Sequence, residues 1–505
     1  MNDIAQTLAE KMKEFVPVSP ATDEPERTEI ALPNKIGQTE SDAIMETAEV
    51  LAGTGEFFLS NDRLVQVSGD RLIVPTPAGL AADSGRWIDC TAWIKDEEVH
   101  KSFPKSLAQG LLESEQAKGL FQTITMRSDV PLPYQENGVL KFSSPGYDPA
   151  HKIWTPAGAI PVCRMHLQDA VGLLRYILHG FCFLEPELDI ARTLAYLLSP
   201  MLSLLTNGCR AMIFYACGNR PGLGKDYLLA MAPIIYTGQQ AAFYPPAGSD
   251  DEYRKMLLAA CIAIEQFVLI SNFKDHLDSP ALEQAATSPY IKGRVLGKTE
   301  LCTAANTAVY GLSSNGSTIS PDLERRVLDI RLVFLEEDVT RRIFDCDVHE
   351  YLLGNRALAL SALNSLIIHW AEQGFPLTGT AIPSFVRWSQ VVSGILVACG
   401  FQNPFDKRQV ISEALENSGN REDRDFSALL EQWFNGPEPK TLPPYYMRSL
   451  ATQLELFAWL DLAERSGQVA FAAILRQRGM RTFNGLRLVI ARGRTSSYTV
   501  EEALL

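Results

Sequence analysis

The segment Cys217-Gly-Asn-Arg-Pro-Gly-Leu-Gly-Lys-Asp-Tyr-Leu-Leu carries residue types suited to holding a chain of phosphates. Glycines let backbone N–H groups converge on phosphate oxygens, a following helix offers its positive N-terminal end, and a lysine reaches the terminal phosphates. Gly222, Gly224 and Lys225 supply these parts, and Asn219, Pro221, Leu223, Asp226 and Tyr227 complete the candidate nucleotide contacts. Two departures stand out. The first glycine of the usual pattern falls at Asn219, with Gly218 one place early, and Asp226 replaces the Ser or Thr that ordinarily ligates magnesium.

Magnesium sites of this kind pair a loop hydroxyl with a carboxylate at the end of a neighbouring apolar strand. The strand expected there, Phe267-Val-Leu-Ile-Ser-Asn, has Ser271 in place of the acid and Asn272 where a second acid often sits. Together the changes read as an exchange, with the carboxylate moved to Asp226 and the hydroxyl to Ser271, keeping one of each around Mg²⁺. A protein that binds nucleotide but has lost hydrolysis accounts for the same replacements. Further along, Asn315 follows an apolar strand, where a polar side chain can orient an attacking water; a plain turn asparagine fits the same pattern. Arg325 and Arg326 precede a strand, suited to reaching a neighbouring subunit's γ-phosphate; locally they also read as a charged helix end.

These residues need a strand–loop–helix frame, and the surrounding pattern provides one. Residues 211–217 are a short apolar run of the kind buried in a parallel sheet. Helical spacing over 226–235 and 252–264 alternates with strand candidates at 267–271, 301–310 and 327–334, which predicts α/β architecture with a mostly parallel sheet. Residues 165–205 and 350–401 read as helical. Residues 42–154 alternate short strands with Gly and Pro turns, a small α+β domain. Residues 1–41 are polar and Pro/Glu/Thr-rich, a mobile arm, and 404–443 is charged and linker-like. Helices over 454–464 and 469–478 and a closing hairpin outline a winged helix. No repeat of 20–50 residues is apparent.

The chain has 505 residues, 46% apolar and 21% charged, which describes a multidomain globular protein. With 46 Lys and Arg against 60 Asp and Glu, the net charge of −14 excludes a general basic coat for nucleic acid, so any DNA contact is local. Nine cysteines without a C-x-x-C pair argue against a disulfide framework and for a reducing compartment. Cys163/His166 and Cys346/His349 lie too far apart in sequence for a persuasive shared zinc site. No continuous stretch of about 20 apolar residues and no signal-peptide pattern is seen, so a cytoplasmic protein with no membrane partner is expected.

Over residues 30–500 the chain resembles the AAA+ helicases of superfamily 3 type, the primase-helicases of phages and integrated mobile elements. The phosphate loop, the Phe267 strand with Leu277-Asp-Ser-Pro-Ala-Leu behind it, Gly146-Tyr-Asp-Pro, Arg294-Val-Leu-Gly, Asp322-Leu-Glu-Arg-Arg and Trp388-Ser-Gln-Val-Val-Ser-Gly-Ile-Leu carry the likeness. It implies a small N-terminal α+β domain (42–155), an AAA+ ATPase core (156–345), a helical lid (346–403) and a winged-helix-like domain (444–505). It further implies a homo-oligomeric ring, usually hexameric, with ATP and Mg²⁺ between subunits and DNA in the pore. Lys225 would bind phosphate, Asn315 would be sensor 1, and Arg325 or Arg326 the arginine finger. No primase chemistry is visible, so a separate primase or host replication proteins are expected partners. A nucleotide-binding scaffold and a defence or signalling ATPase remain as alternatives to the motor.

Charge marks two candidate DNA contacts. Arg476, Arg478, Arg481, Arg487, Arg492 and Arg494 form a basic island free of acids near the C-terminus. Lys292, Arg294 and Lys298 flank a Gly turn between core strands and suit a hairpin that tracks phosphates. A solvated charged face is the competing reading of either.

Overall fold

The computed structural model describes residues 27–33, 37–94, 97–219, 221–273, 276–295, 301–315, 317–334, 347–406, 421–458, 460–478, 482–483, 486–491 and 497–502. The chain divides into two compact units, one ending at Phe405 and the other beginning at Asp406.

The first unit is organised by four parallel strands in the order Phe267–Phe273, Val309–Asn315, Ile213–Gly218, Val327–Leu332. Ile213, Phe214 and Ala216 are fully buried, as are Val268, Ile270, Leu328 and Ile330, which explains the short continuous apolar runs. Tyr244 extends the sheet, exchanging backbone hydrogen bonds with Leu269 (2.7 Å) and Ser271 (3.1 Å). Helix Lys225–Thr237 covers one face. Gly311 lets it lie close, since a Cβ there would come within 2.7 Å of Leu269 and 3.3 Å of Leu229.

The run read as one strand over 301–310 is two elements. Leu301–Ala305 pairs antiparallel with Tyr290–Arg294 as a hairpin outside the main sheet, and Val309–Asn315 enters the sheet. Asn306 sits at the break and is nearly fully buried. Its side-chain N–H groups donate to the carbonyls of Ala285 (2.8 Å) and Ser288 (2.9 Å), and its Oδ1 accepts from Tyr310 (2.6 Å). A polar residue so fully satisfied in a core fixes a chain bend that apolar periodicity cannot signal.

Strand Val327–Leu332 is braced by buried charges. Arg192, 1% exposed, lies 3.1 Å from Asp329, whose carboxylate also accepts from Arg331 at 2.6 Å. Asp189 accepts the N–H groups of Arg331 (3.1 Å) and Glu185 (2.9 Å), yet burial outweighs them and pushes its carboxyl up to about 6.

Before the core, strand Thr28–Ala31 pairs parallel with Ile88–Ile94, so part of the expected arm is built into a sheet. Helix Glu40–Gly53 starts at Thr39, which forms a capping box with Asp42. After the core come helices Val348–Gly354, Arg356–Glu372 and Val386–Ala398. Among the described residues no single helix is long and apolar enough to cross a membrane.

The second unit holds helices Arg421–Asn435, Pro444–Gln453 and Arg465–Arg478 beside four strands in the order Thr441–Leu442, Ser497–Glu502, Leu486–Ala491, Thr482–Phe483. Two sequence expectations change here. Phe426, Leu429, Leu430 and Trp433 recur at helical spacing and enter this unit's core, so the segment read as linker contributes a helix. The helix expected over 454–464 is instead irregular. Glu455 and Phe457 take left-handed backbone conformations, and the turn buries Phe457 with its N–H on the Asp425 carboxylate at 2.9 Å.

Candidate active site

Strand Ile213–Gly218 delivers the glycine-rich loop to the carboxyl end of the parallel sheet, where open α/β sheets present their ligand crevice. Gly222 (φ +79°) and Gly224 (φ +87°) take left-handed conformations that suit only glycine at low cost, and Gly224 leads directly into helix Lys225–Thr237. Gly218 has a packing role. A Cβ there would lie 2.7 Å from the Leu223 side chain and 2.7 Å from the Leu332 carbonyl. Leu223 is fully buried, so its side chain packs inward under the loop. Pro221 and Gly222 are exposed. The Asn219 side chain, expected to face nucleotide, pairs with the backbone of Phe334, donating to its carbonyl at 3.1 Å and accepting its N–H at 3.3 Å.

Lys225 is 7% exposed at the first position of the helix. Burial pushes its ammonium below the usual lysine range, against the opposing pull of Asp226. A cation held in partly dry surroundings at a helix N-terminus is arranged for an anion.

The Asp226 carboxylate accepts a hydrogen bond from the Ser313 hydroxyl. Ser313 in turn accepts the N–H of Asn272 at 3.0 Å. Sequence reading passed over Ser313; a serine two residues before a candidate sensor asparagine is the signal that was available. Ser271 follows Leu269 by two positions, which by strand alternation puts both on the face covered by helix Lys225–Thr237. Its hydroxyl makes no hydrogen bond among the described residues. The register slips between Ile270 and Phe273, and the exposed Asn272 has φ +58° at this bulge. Bulges re-aim side chains at strand ends, and asparagine tolerates the left-handed region. The carboxylate and hydroxyl that meet here, Asp226 and Ser313, are hard oxygens of the kind Mg²⁺ takes.

Asn315 ends its strand at the register position opposite Gly218, beside the loop. Glu265 is far from this edge. It precedes strand Phe267–Phe273, accepts from the Tyr244 hydroxyl at 2.8 Å, and burial raises its carboxyl above the usual range.

Arg325 and Arg326 stand at the opposite edge of the sheet, since the Arg326 carbonyl accepts the N–H of Ile213 at 2.9 Å. The strand from Ile213 to Gly218 covers about 16 Å, more than an arginine side chain spans. Neither residue can serve the loop of its own chain. Arg326 is tied to the Asp322 carbonyl and lies 3.7 Å from Glu283, whereas Arg325 is 72% exposed with Asp322 as its ion-pair partner.

Hairpin Tyr290–Arg294 and Leu301–Ala305 exposes Tyr290, Lys292 and Arg294 on one face, with Ile291 buried between them. Among the described residues neither Lys292 nor Arg294 has an acidic partner. Tyr290, 58% exposed, adds an aromatic surface that the charge count missed. In the second unit Arg487 is bound to Glu501 at 2.7 Å, and Arg476 donates to the Ala472 carbonyl at 3.1 Å. The side chain of Arg478 and the whole of Lys298, Arg481, Arg492 and Arg494 lie outside the described residues, as does the side chain of Asn315. Cys346 is outside too, and no cluster of three or more His, Cys, Asp or Glu suited to a metal occurs among the described residues.

No protein-family model matches the chain, and no curated protein matches it. Its structural neighbours include helicases. The apo C-terminal region of NrS-1 (residues 305–718) aligns with TM-score 0.43 and 14% identity over 90% of this chain and 98% of that one. The SCCmec type IV Cch protein, an active helicase, aligns with TM-score 0.37 and 11% identity over 87% of this chain and 90% of its own. The JCV helicase aligns with TM-score 0.22 and 12% identity over 53% of this chain and 71% of its own.

Proposed function

We propose that this chain is an ATP-dependent DNA translocase of the AAA+ superfamily 3 type, acting as a hexameric ring in replication of a phage or mobile element. The observation that carries the reading is Lys225 at a helix N-terminus behind two left-handed glycines, with the Asp226–Ser313 pair beside it. Backbone N–H groups of residues 222–226 and the Lys225 ammonium would bind the phosphates of ATP. Asp226 with Ser271 and Ser313 would hold Mg²⁺, which neutralises charge developing on the phosphate oxygens. Asn272 and Asn315, at the same edge, would orient water, and Arg325 would complete the site of the next subunit. The test is steady-state ATP hydrolysis by the purified chain, with and without single-stranded DNA and with Mg²⁺ or excess chelator. Turnover that requires Mg²⁺ and rises with DNA is expected; turnover indifferent to both rejects the reading.

The metal set makes a separate prediction. Asp226→Ala lowers Mg²⁺-dependent hydrolysis about 100-fold, the scale expected when a metal site loses a partner. Asp226→Thr combined with Ser271→Asp recovers activity over either single change, because the pair restores one hydroxyl and one carboxylate. Equal loss in the double and the singles rejects the exchange.

The exposed hairpin face supports single-stranded DNA as the polymer, because unpaired cations track phosphates and an exposed ring stacks on any base. Tyr290→Ala weakens binding of an oligo-dT strand about tenfold. Lys292→Ala with Arg294→Ala reduces the slope of log K against log salt by about 1.4, two contacts at about 0.7 each. Arg487→Ala changes the slope less, because Glu501 already neutralises that cation. Fluorescence anisotropy over a salt series measures all three.

A second reading, a weakly hydrolysing scaffold that assembles on DNA or recruits a replicative helicase, draws on Ser271 and Asn272 standing where acids are usual. It predicts nucleotide-dependent assembly with little turnover.

A further inference from the structure

Tyr227 lies two residues past Lys225 and was expected at the nucleotide. Its contacts lead elsewhere. Its hydroxyl donates to the Asp347 carboxylate and accepts the His349 N–H at 3.0 Å. Its carbonyl accepts from His349 Nε2 at 2.7 Å, and the two rings stack with centroids 3.5 Å apart and planes 10° from parallel. Asp347 is also the N-cap of helix Val348–Gly354, accepting the N–H groups of His349 (2.9 Å) and Glu350 (3.0 Å).

The grip is repeated at the other end of the loop helix. Arg356, which begins the next helix, donates to the carbonyls of Ile235 (3.1 Å) and Tyr236 (2.6 Å) in the last turn of Lys225–Thr237. The loop helix is therefore held at its first turn by Tyr227 and at its last by Arg356, both against the helical segment that follows the sheet. A rigid helix clamped at both ends cannot shift its phosphate-facing end without straining these contacts.

We propose that Tyr227, Asp347 and His349 form a positioning contact that sets the first turn of the loop helix, Lys225 and Asp226 included, and ties nucleotide affinity to the position of the helical segment 347–372. Tyr227 is thus a positioning residue, bonded to lid groups. The inference rests on the nucleotide reading above.

Two variants break the contact from opposite sides. Tyr227→Phe keeps the ring stack and removes the hydroxyl. Asp347→Ser keeps an N-cap, since serine caps as well as aspartate, but is too short to hold Tyr227 as well. Each is expected to weaken binding of a non-hydrolysable ATP analogue about fivefold, the scale of one net hydrogen bond, with the double variant no worse than either single. Hydrogen exchange on the nucleotide-free chain is expected to rise in 225–229 for Asp347→Ser and in 348–352 for Tyr227→Phe, each change appearing across the contact from the substitution. Multiplying affinity losses, or exchange that rises only beside the altered residue, overturns the proposal. Analogue affinity that survives Lys225→Ala would instead reject the nucleotide reading, while the exchange experiment still judges the contact.

Discussion

Lys225→Ala is expected to lower ATP hydrolysis about 1000-fold while leaving the fold intact by circular dichroism. The loss is large because the ammonium acts where little solvent screens it: Lys225 is 7% exposed and burial already presses on its charge. Removing one preorganised electrostatic group from such a site typically costs two to three orders of magnitude. The fold tolerates the change because the helix start depends on Gly224, with φ +87°, and alanine is a good helix former at the next position. Steady-state turnover at saturating ATP is the measurement. Activity within tenfold of the parent would mean that the phosphates lie elsewhere.

Arg325→Ala is expected to have a comparable effect, about 1000-fold, because the arginine-finger role proposed for it contributes at least that much to phosphoryl transfer. The sheet geometry adds a signature that the lysine change lacks. Arg325 stands at the amino edge and the loop at the carboxyl edge, so a subunit cannot complete its own site. Mixing inactive Lys225→Ala chains with inactive Arg325→Ala chains should therefore restore part of the activity. In mixed assemblies of the proposed ring, an intact loop from one variant would meet an intact arginine from the other. Arg326→Ala is expected to act mainly on stability, since its side chain holds the Asp322 carbonyl and lies near Glu283. A mixture that stays inactive, although each variant assembles, would rule out the shared site.

Local patterns carried much of the architecture. Three of the four parallel strands, at Ile213–Gly218, Phe267–Phe273 and Val327–Leu332, fall close to their expected positions because each carries a short run of buried apolar residues. The helix after the loop is equally legible, framed by Gly224 before it and Gly238 after it, both with positive φ. Failures occur where a chain bend is decided by distant partners. The break at Asn306 depends on carbonyls of Ala285 and Ser288, and the turn that buries Phe457 depends on Asp425. The helix Arg421–Asn435 was hidden because polar and charged residues together outweigh its one apolar face in composition, though not in spacing.

The candidate site divides in the same way. By itself the sequence determined the loop, its lysine, the unusual Asp226 and the basic character of the hairpin, because each is a property of neighbouring residues and of the backbone they permit. Tertiary structure decided which hydroxyl meets Asp226, which arginine is exposed, which cations are already neutralised and where Tyr227 is bonded. Ser313 reaches Asp226 across a separation of 87 residues only because the sheet order sets Val309–Asn315 next to the loop strand. Asp347 reaches Tyr227 across 120 residues, whereas Glu501 meets Arg487 as its register partner in a hairpin, 14 residues on. Side-chain partners of this kind follow from the order and register of strands and the packing of helices, which are set by burial summed over the whole core and are not written in any local spacing.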